Sequence, residues 1–239
     1  MIESINNEKI KKYSKLLLKK YRDETNLYLV STDHLVKEAI KNDSIVDIFL
    51  LEGKNNIYGN NVFIVTEQVM RKLTTLKTLP NVVAVVRKNK EKDINGNVLL
   101  IDGVQDPGNV GTIIRSAVAF NIDTIVLGNG TVDVYNEKVL RASEGMINNI
   151  NIVKGNLVDI IMNLKINGYE IIGTKVDGGT DIKNIKSKKF ALLVGNEGNG
   201  VSKELLDLCD IYAYIKMNNK CESLNVGVAT SIILHELVN

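Results

Sequence analysis

No apolar run in the chain approaches the roughly 18 residues that a membrane-spanning helix needs, and Met1 to Lys20 lacks the apolar stretch and small residues of a secretion signal. A soluble cytoplasmic protein with no membrane partner is expected. Cysteine and histidine are scarce. Cys209, Cys221, His34 and His235 show neither the paired spacing nor the clustering of a metal site, so no metal is expected and both cysteines read as reduced thiols. His34 at the start of an expected helix and His235 near the chain end read as structural. The net charge of +2 is too small to announce a nucleic-acid partner. Two phosphate-binding signatures are missing as well. G-x-G-x-x-G does not follow a strand at the head of a βαβ unit, which counts against a dinucleotide-dependent oxidoreductase, and the absence of G-K-[ST] excludes a Walker-type loop. Neither an internal repeat nor a low-complexity block stands out.

What is present is enough for a real core, since 44% of 239 residues are hydrophobic. Ile10 to Arg22 and Thr32 to Lys41 read as helices, the second with Thr32 or Asp33 at its N-cap. Leu27 to Val30, Ile45 to Leu51, Val62 to Val65 and Val82 to Val86 read as strands, with a helix over Glu67 to Thr75. The polar stretch Arg87 to Asn97, with its Asn95-Gly96 turn, places a domain boundary near residue 92 and divides the chain into 1–92 and 93–239. Beyond it, strands are expected at Val98 to Ile101, Thr124 to Leu127, Ile150 to Val153, Glu170 to Gly173, Phe190 to Val194 and Ile211 to Ile215. Helices are expected at Val110 to Phe120, Asn136 to Ala142, Leu157 to Ile166, Ser202 to Leu208 and Leu224 to Leu237. Apolar strands alternating with helices predict an α/β fold with a mainly parallel sheet covered on both faces. Lys9, Lys11, Lys12, Lys15, Lys19, Lys20 and Arg22 crowd the first helix, either as a phosphate-facing stripe or as a solvated face opposite a core side of Leu16, Leu17 and Leu18.

Three segments of the C-terminal half put polar or glycine residues where a strand gives way to a loop or helix. Gln105 to Ser116 (QDPGNVGTIIRS) carries Asn109 at a helix head and Arg115 in an otherwise apolar helix, where a guanidinium needs an anionic ligand, an ion pair or water. Leu193 to Ser202 (LVGNEGNGVS) holds closely spaced glycines that let backbone approach a ligand or simply make a tight turn, with Glu197 capping the next helix or facing a site. Glu222 to Thr230 (ESLNVGVAT) clusters Glu222, Ser223 and Asn225 at a helix start, where capping explains one of them.

Together these segments resemble the SpoU family of S-adenosylmethionine-dependent RNA 2′-O-ribose methyltransferases, one branch of the SPOUT enzymes. KYRDE at Lys20 to Glu24 and HLVKEAI at His34 to Ile40 make the first ninety residues similar to that family's L30e-like substrate-binding domain. The resemblance implies a trefoil knot in the C-terminal domain, a homodimer whose site draws on both subunits, and an rRNA substrate in preference to tRNA. It also implies that Gly195, Ile215 and Leu224 contact S-adenosylmethionine, with Gly173, Thr174, Asn196, Glu197 and Gly198 lining its pocket. Asn109, Arg115, Glu197, Ser223 and Asn225 would form the reactive end. Departures from the family pattern are Lys216, Lys220-Cys221, Gly227 and Ser31-Thr32.

Overall fold

The computed structural model describes residues 1–59 and 61–238 and divides into two compact units. The first contains Met1–Lys90 together with Tyr135–Asn148, and the second contains Glu91–Val134 and the chain from Asn149 onward.

In the first unit, helices α1 (Glu8–Ser14) and α2 (Lys19–Thr25) precede strand β1 (Leu27–Val30), α3 (Asp33–Lys41), β2 (Ile45–Leu51), β3 (Val62–Val65), α4 (Glu67–Lys72) and β4 (Val82–Arg87). The single helix expected over Ile10 to Arg22 is broken at Leu18, whose extended backbone (φ −100°, ψ 133°) separates α1 and a 3₁₀ turn from α2. Thr32 caps α3, its hydroxyl accepting from the Leu35 amide at 3.2 Å. The four strands lie in the order β1-β4-β2-β3, with β2 and β3 parallel and the other pairs antiparallel. Ile10, Tyr13 and Leu16 from the N-terminal helices pack with Phe49, Met70, Val83 and Val85 in its core.

The second unit holds β5 (Val98–Ile101), α5 (Pro107–Ala119) and β6 (Thr124–Leu127). The chain then leaves for the first unit with α6 (Glu137–Ala142) and returns to β7 (Asn151–Lys154), α7 (Leu157–Ile166), β8 (Glu170–Thr174), β9 (Thr180–Asp181), β10 (Phe190–Val194), α8 (Lys203–Leu206), β11 (Ile211–Tyr214) and α9 (Val226–Val238). Residues 135–148, expected to lie with 93–239, therefore belong to the first unit. Tyr135 packs against Tyr28 with ring centroids 4.8 Å apart, the Tyr28 hydroxyl donates to Asn148 at 2.8 Å, and Glu137 accepts from the Thr74 and Thr75 hydroxyls. The apolar positions of α6, Val139 and Leu140, are buried as their pattern requires, but such a pattern does not say which core receives it.

Among the described residues the second sheet has seven strands, all parallel, in the order β7-β6-β5-β10-β8-β11-β9. β5, β6 and β10 are buried at every position, as strands covered on both faces should be. The two-residue β9 carried no run long enough to read in sequence. The chain runs outward from β5 through β6 to β7, then crosses to β8 on the other side, and β10 later fills the place between β8 and β5. The reversal lies between β5 and β10, where open α/β sheets bind ligands at the carboxyl ends of their strands. No helix of the described residues is long and apolar enough to cross a membrane.

Candidate active site

The loops after β5 and β10 meet at this reversal. Asp106 caps α5, its carboxylate accepting from the Asn109 amide at 2.9 Å, and Pro107 occupies the first turn, where its missing N–H is no loss. This fixes Asn109 at the helix head, aimed across the gap at Glu197.

The loop after β10 is a tight turn built on side-chain as well as backbone bonds. Asn196 and Gly200 exchange two backbone hydrogen bonds of 2.9 Å, and the Asn196 carboxamide accepts from the Gly198 and Asn199 amides while donating to the Gly103 carbonyl at 2.9 Å. Its three glycines have different reasons to be glycine. Gly200 has φ +66°, whereas a Cβ on Gly195 would lie 2.1 Å from the Gly200 carbonyl carbon and the Val201 nitrogen. Gly198 has neither constraint, since its Cβ would meet only Asn196 Oδ1 at 3.6 Å. Asp102 closes the loop by accepting from the Ser202 amide at 2.9 Å.

Glu197 joins the first two sequence segments directly and reaches the third through Asn109. Its carboxylate accepts from the Asp106 amide at 3.0 Å, the Gln105 amide at 3.2 Å and the Asn109 carboxamide at 3.0 Å. Asn109 in turn accepts through Oδ1 from Asn225 Nδ2 at 2.7 Å, and Asn225 Oδ1 caps α9 by accepting from the Gly227 and Val228 amides at 2.9 and 3.3 Å. Partial burial pushes the Glu197 carboxyl up, but the Asn109 side chain and the Asp106 and Gln105 amides outweigh it, and the group sits below its ordinary value. It is an ionised clamp with its lone pairs in use, a poor proton acceptor near neutrality.

Beside this network lies a cavity of about 540 Å³, within the range of small-molecule sites. Of the residues expected to hold a cofactor, Thr174, Gly195, Asn196, Gly198, Ile215 and Leu224 line it, as do Glu197, Ser223 and Asn225 of the expected reactive end. Gly173 does not. It is buried in β8, and a Cβ there would meet Cys209 Sγ at 2.7 Å, so its small size serves the packing of the turn that follows α8. Cys209 is half-buried, and desolvation with the nearby Asp210 carboxylate pushes its thiol up to about 11. Lys175, Asp177 and Met217 also line the cavity without having been singled out in sequence. Adjacency to Gly173-Thr174 and to the loop after Met217 was the available signal.

Asn109 and Arg115 are not in the lining. Asn109 reaches the site through its hydrogen bonds, whereas Arg115 points from α5 into solvent with no hydrogen bond or ion pair to any described residue. The intramolecular ion pair that an arginine in an apolar helix invites is therefore not made. His34 lies 3.2 Å from the Glu144 carbonyl, and His235 sets its ring edge-on to Phe120, so neither borders the cavity. The described residues hold no cluster of three or more His, Cys, Asp or Glu able to bind a metal.

The cavity walls suit S-adenosylmethionine. Val201, Leu206, Ile215, Leu224 and Ile233 offer an apolar face to a flat base, and Gly198 leaves open the space a side chain would fill.

Comparison with known proteins agrees. The model of the SpoU rRNA methylase family matches residues 96–235, and that of an MRM3-like substrate binding domain matches residues 7–84. The chain is 40% identical over 243 residues to 23S rRNA (guanosine(2553)-2′-O)-methyltransferase RlmP of Bacillus subtilis (strain 168), covering 99% of this chain and 98% of that one. An AdoMet-bound rRNA methyltransferase from Sinorhizobium meliloti superposes with a TM-score of 0.83 at 30% identity, over 98% of this chain and 95% of that one. The SpoU methyltransferase AviRb from Streptomyces viridochromogenes, solved with AdoMet, shares the fold with a TM-score of 0.86 at 23% identity, over 98% and 97% of the two chains.

Proposed function

The chain belongs to the SpoU rRNA methylase family, and from that premise we propose that it methylates the ribose 2′-hydroxyl of a guanosine in 23S rRNA, using S-adenosylmethionine. The observation that carries this reading is the Glu197–Asn109–Asn225 network, which ties the three segments together beside a cavity of the right size.

Bound S-adenosylmethionine supplies an electrophilic methyl group on a sulfonium. The chain's part is to hold that group in line with one hydroxyl and to help the hydroxyl lose a weakly acidic proton. Thr174, Gly195, Asn196, Gly198, Ile215 and Leu224 hold it. The network keeps these loops from drifting, which matters because a misplacement of about 1 Å can cost about a hundredfold in rate. Ser223, exposed at the cavity edge, offers a hydroxyl to the incoming ribose.

Arg115 binds the phosphate next to the target ribose and polarises the 2′-hydroxyl. A guanidinium with a pKa above about 12 does not serve as the base. Its exposure, with no partner among the described residues, supports a homodimer in which it completes the site of a second copy. The reading includes the family's trefoil knot, in keeping with a cavity lined both by the loop after β10 and by the segment after β11. It also includes a first unit that holds RNA, in keeping with the substrate-binding match over residues 7–84. Acting on rRNA implies residence in the cytoplasm.

The test is transfer of labelled methyl from S-adenosylmethionine to unmodified 23S rRNA and, separately, to tRNA, with the labelled nucleotide identified afterwards. A 2′-O-methylguanosine confined to the rRNA supports the reading. Label in tRNA alone overturns the substrate assignment, and S-adenosylmethionine binding without transfer to either pool would favour a catalytically silent RNA-binding protein.

A further inference from the structure

The lysine-rich start of the chain sorts cleanly once each cation's neighbours are known. Lys9 Nζ lies 2.9 and 3.0 Å from the Asp47 carboxylate oxygens, Lys19 pairs with Asp23, and Lys20 lies 3.9 Å from Glu24. Buried Arg22 donates to the Leu16 and Leu17 carbonyls at 2.8 and 2.9 Å, which fastens the break between α1 and α2. Lys9 and Arg22 are thus engaged in the fold, and Lys19 and Lys20 face acids on their own helix. Lys11, Lys12 and Lys15 are exposed and make no ion pair with any described residue.

Those three lysines line one groove of about 450 Å³ in the first unit, with Tyr21 in its wall. The Lys15 ammonium sits 5.4 Å from the centre of the half-buried Tyr21 ring, and Lys12 lies 5.6 Å from that of Tyr13. Glu8 and Glu24 also border the groove, Glu24 being the acid near Lys20, so three free cations outnumber the acids that face them. Unpaired ammonium groups beside an aromatic ring match the chemistry of a single strand, whose phosphates seek cations and whose unstacked bases seek π-faces. A duplex keeps those faces stacked inside.

We propose that this groove binds single-stranded RNA, with backbone phosphates at Lys11, Lys12 and Lys15 and a base against Tyr21. The proposal rests on RNA being the substrate, and it names a surface that accepts an unpaired segment.

The experiment uses the full chain and a fluorescein-labelled oligouridylate, followed by anisotropy across a potassium chloride series. Lys11→Gln/Lys12→Gln/Lys15→Gln should lower the slope of log affinity against log salt by about two, because single strands release about 0.7 counterions per phosphate contact. Lys183→Gln/Lys186→Gln/Lys188→Gln, at exposed positions of the second unit, should leave the slope unchanged. Tyr21→Leu should weaken binding about fivefold or more at an unaltered slope. In methyl transfer to unmodified 23S rRNA, the groove triple should raise KM with kcat and S-adenosylmethionine affinity unchanged. An unchanged slope in the groove triple, with methyl transfer intact, overturns the groove and leaves the methyltransferase standing. A wild-type protein that transfers no methyl overturns the methyltransferase, while the slope still decides the groove.

Discussion

Gly195→Ala and Gly198→Ala, three residues apart in one loop, should fail in different ways. At Gly195 the new Cβ would lie 2.1 Å from the Gly200 carbonyl carbon and the Val201 nitrogen, and ordinary contact begins near 3.4 Å, so backbone must retreat by about 1.3 Å. Backbone at a crossing cannot swing aside as a side-chain tip can. The two 2.9 Å bonds between Asn196 and Gly200 are what such a retreat breaks. At about 1 kcal/mol each the loss is about 2 kcal/mol, or about 4–8 °C in the melting temperature of a chain this long. At Gly198 the nearest atom is Asn196 Oδ1 at 3.6 Å, so the fold should be indifferent, but the added methyl faces the cavity and should weaken S-adenosylmethionine by about tenfold. Differential scanning calorimetry and titration calorimetry with S-adenosylmethionine read the two effects separately. A Gly195→Ala protein that melts within about 1 °C of the wild type would refute the crossing argument, and undiminished cofactor affinity in Gly198→Ala would refute the placement of the ligand.

Arg115→Ala should lose methyl transfer by about a hundredfold or more with S-adenosylmethionine affinity unchanged, because the side chain stands off the cavity; a comparable rate in single-turnover assays would remove it from the mechanism. The Glu197 carboxyl, held low, contributes stability above its ordinary value of 4.5 and loses it as pH falls through the folded value, so the melting temperatures of wild type and Glu197→Gln should separate above about pH 5 and converge in stronger acid. For the same reason Glu197→Gln should slow transfer without removing a limb of the pH–rate profile near neutrality, and loss of such a limb would make Glu197 the base after all. Asn225→Ala uncaps α9 and frees Asn109, which should cost about 1 kcal/mol in denaturant unfolding and weaken transfer further than stability alone explains. In native protein a thiol reagent near pH 8 should consume exposed Cys221 at once and the half-buried Cys209 slowly, and equal rates would contradict the raised Cys209 thiol.

What the sequence announces depends on how far a signal must travel along the chain. Strands such as Leu27–Val30, Val98–Ile101 and Phe190–Val194 read to the residue, because β-branched and apolar runs bounded by polar turns are local. The break at Leu18 did not read, since Arg22 fastens it by reaching back to two carbonyls that no periodicity reports. Nor did the allegiance of 135–148, which is decided by Tyr28 and Thr74, far away in sequence. The candidate site shows the same division. Each motif betrayed its own loop through capping residues and glycines, but the bonds that join them span separations of 88 and 116 residues, and only the resemblance to a family brought them together before the structure did.

Arg115 marks where the described residues stop being informative about themselves. A guanidinium in an apolar helix raises the question of its partner, and the described residues answer that they supply none. A carboxylate on a neighbouring helix would have made the residue a piece of packing. With that removed, water or another molecule is left to satisfy the charge, and the loss of methyl transfer expected of Arg115→Ala is what separates the two.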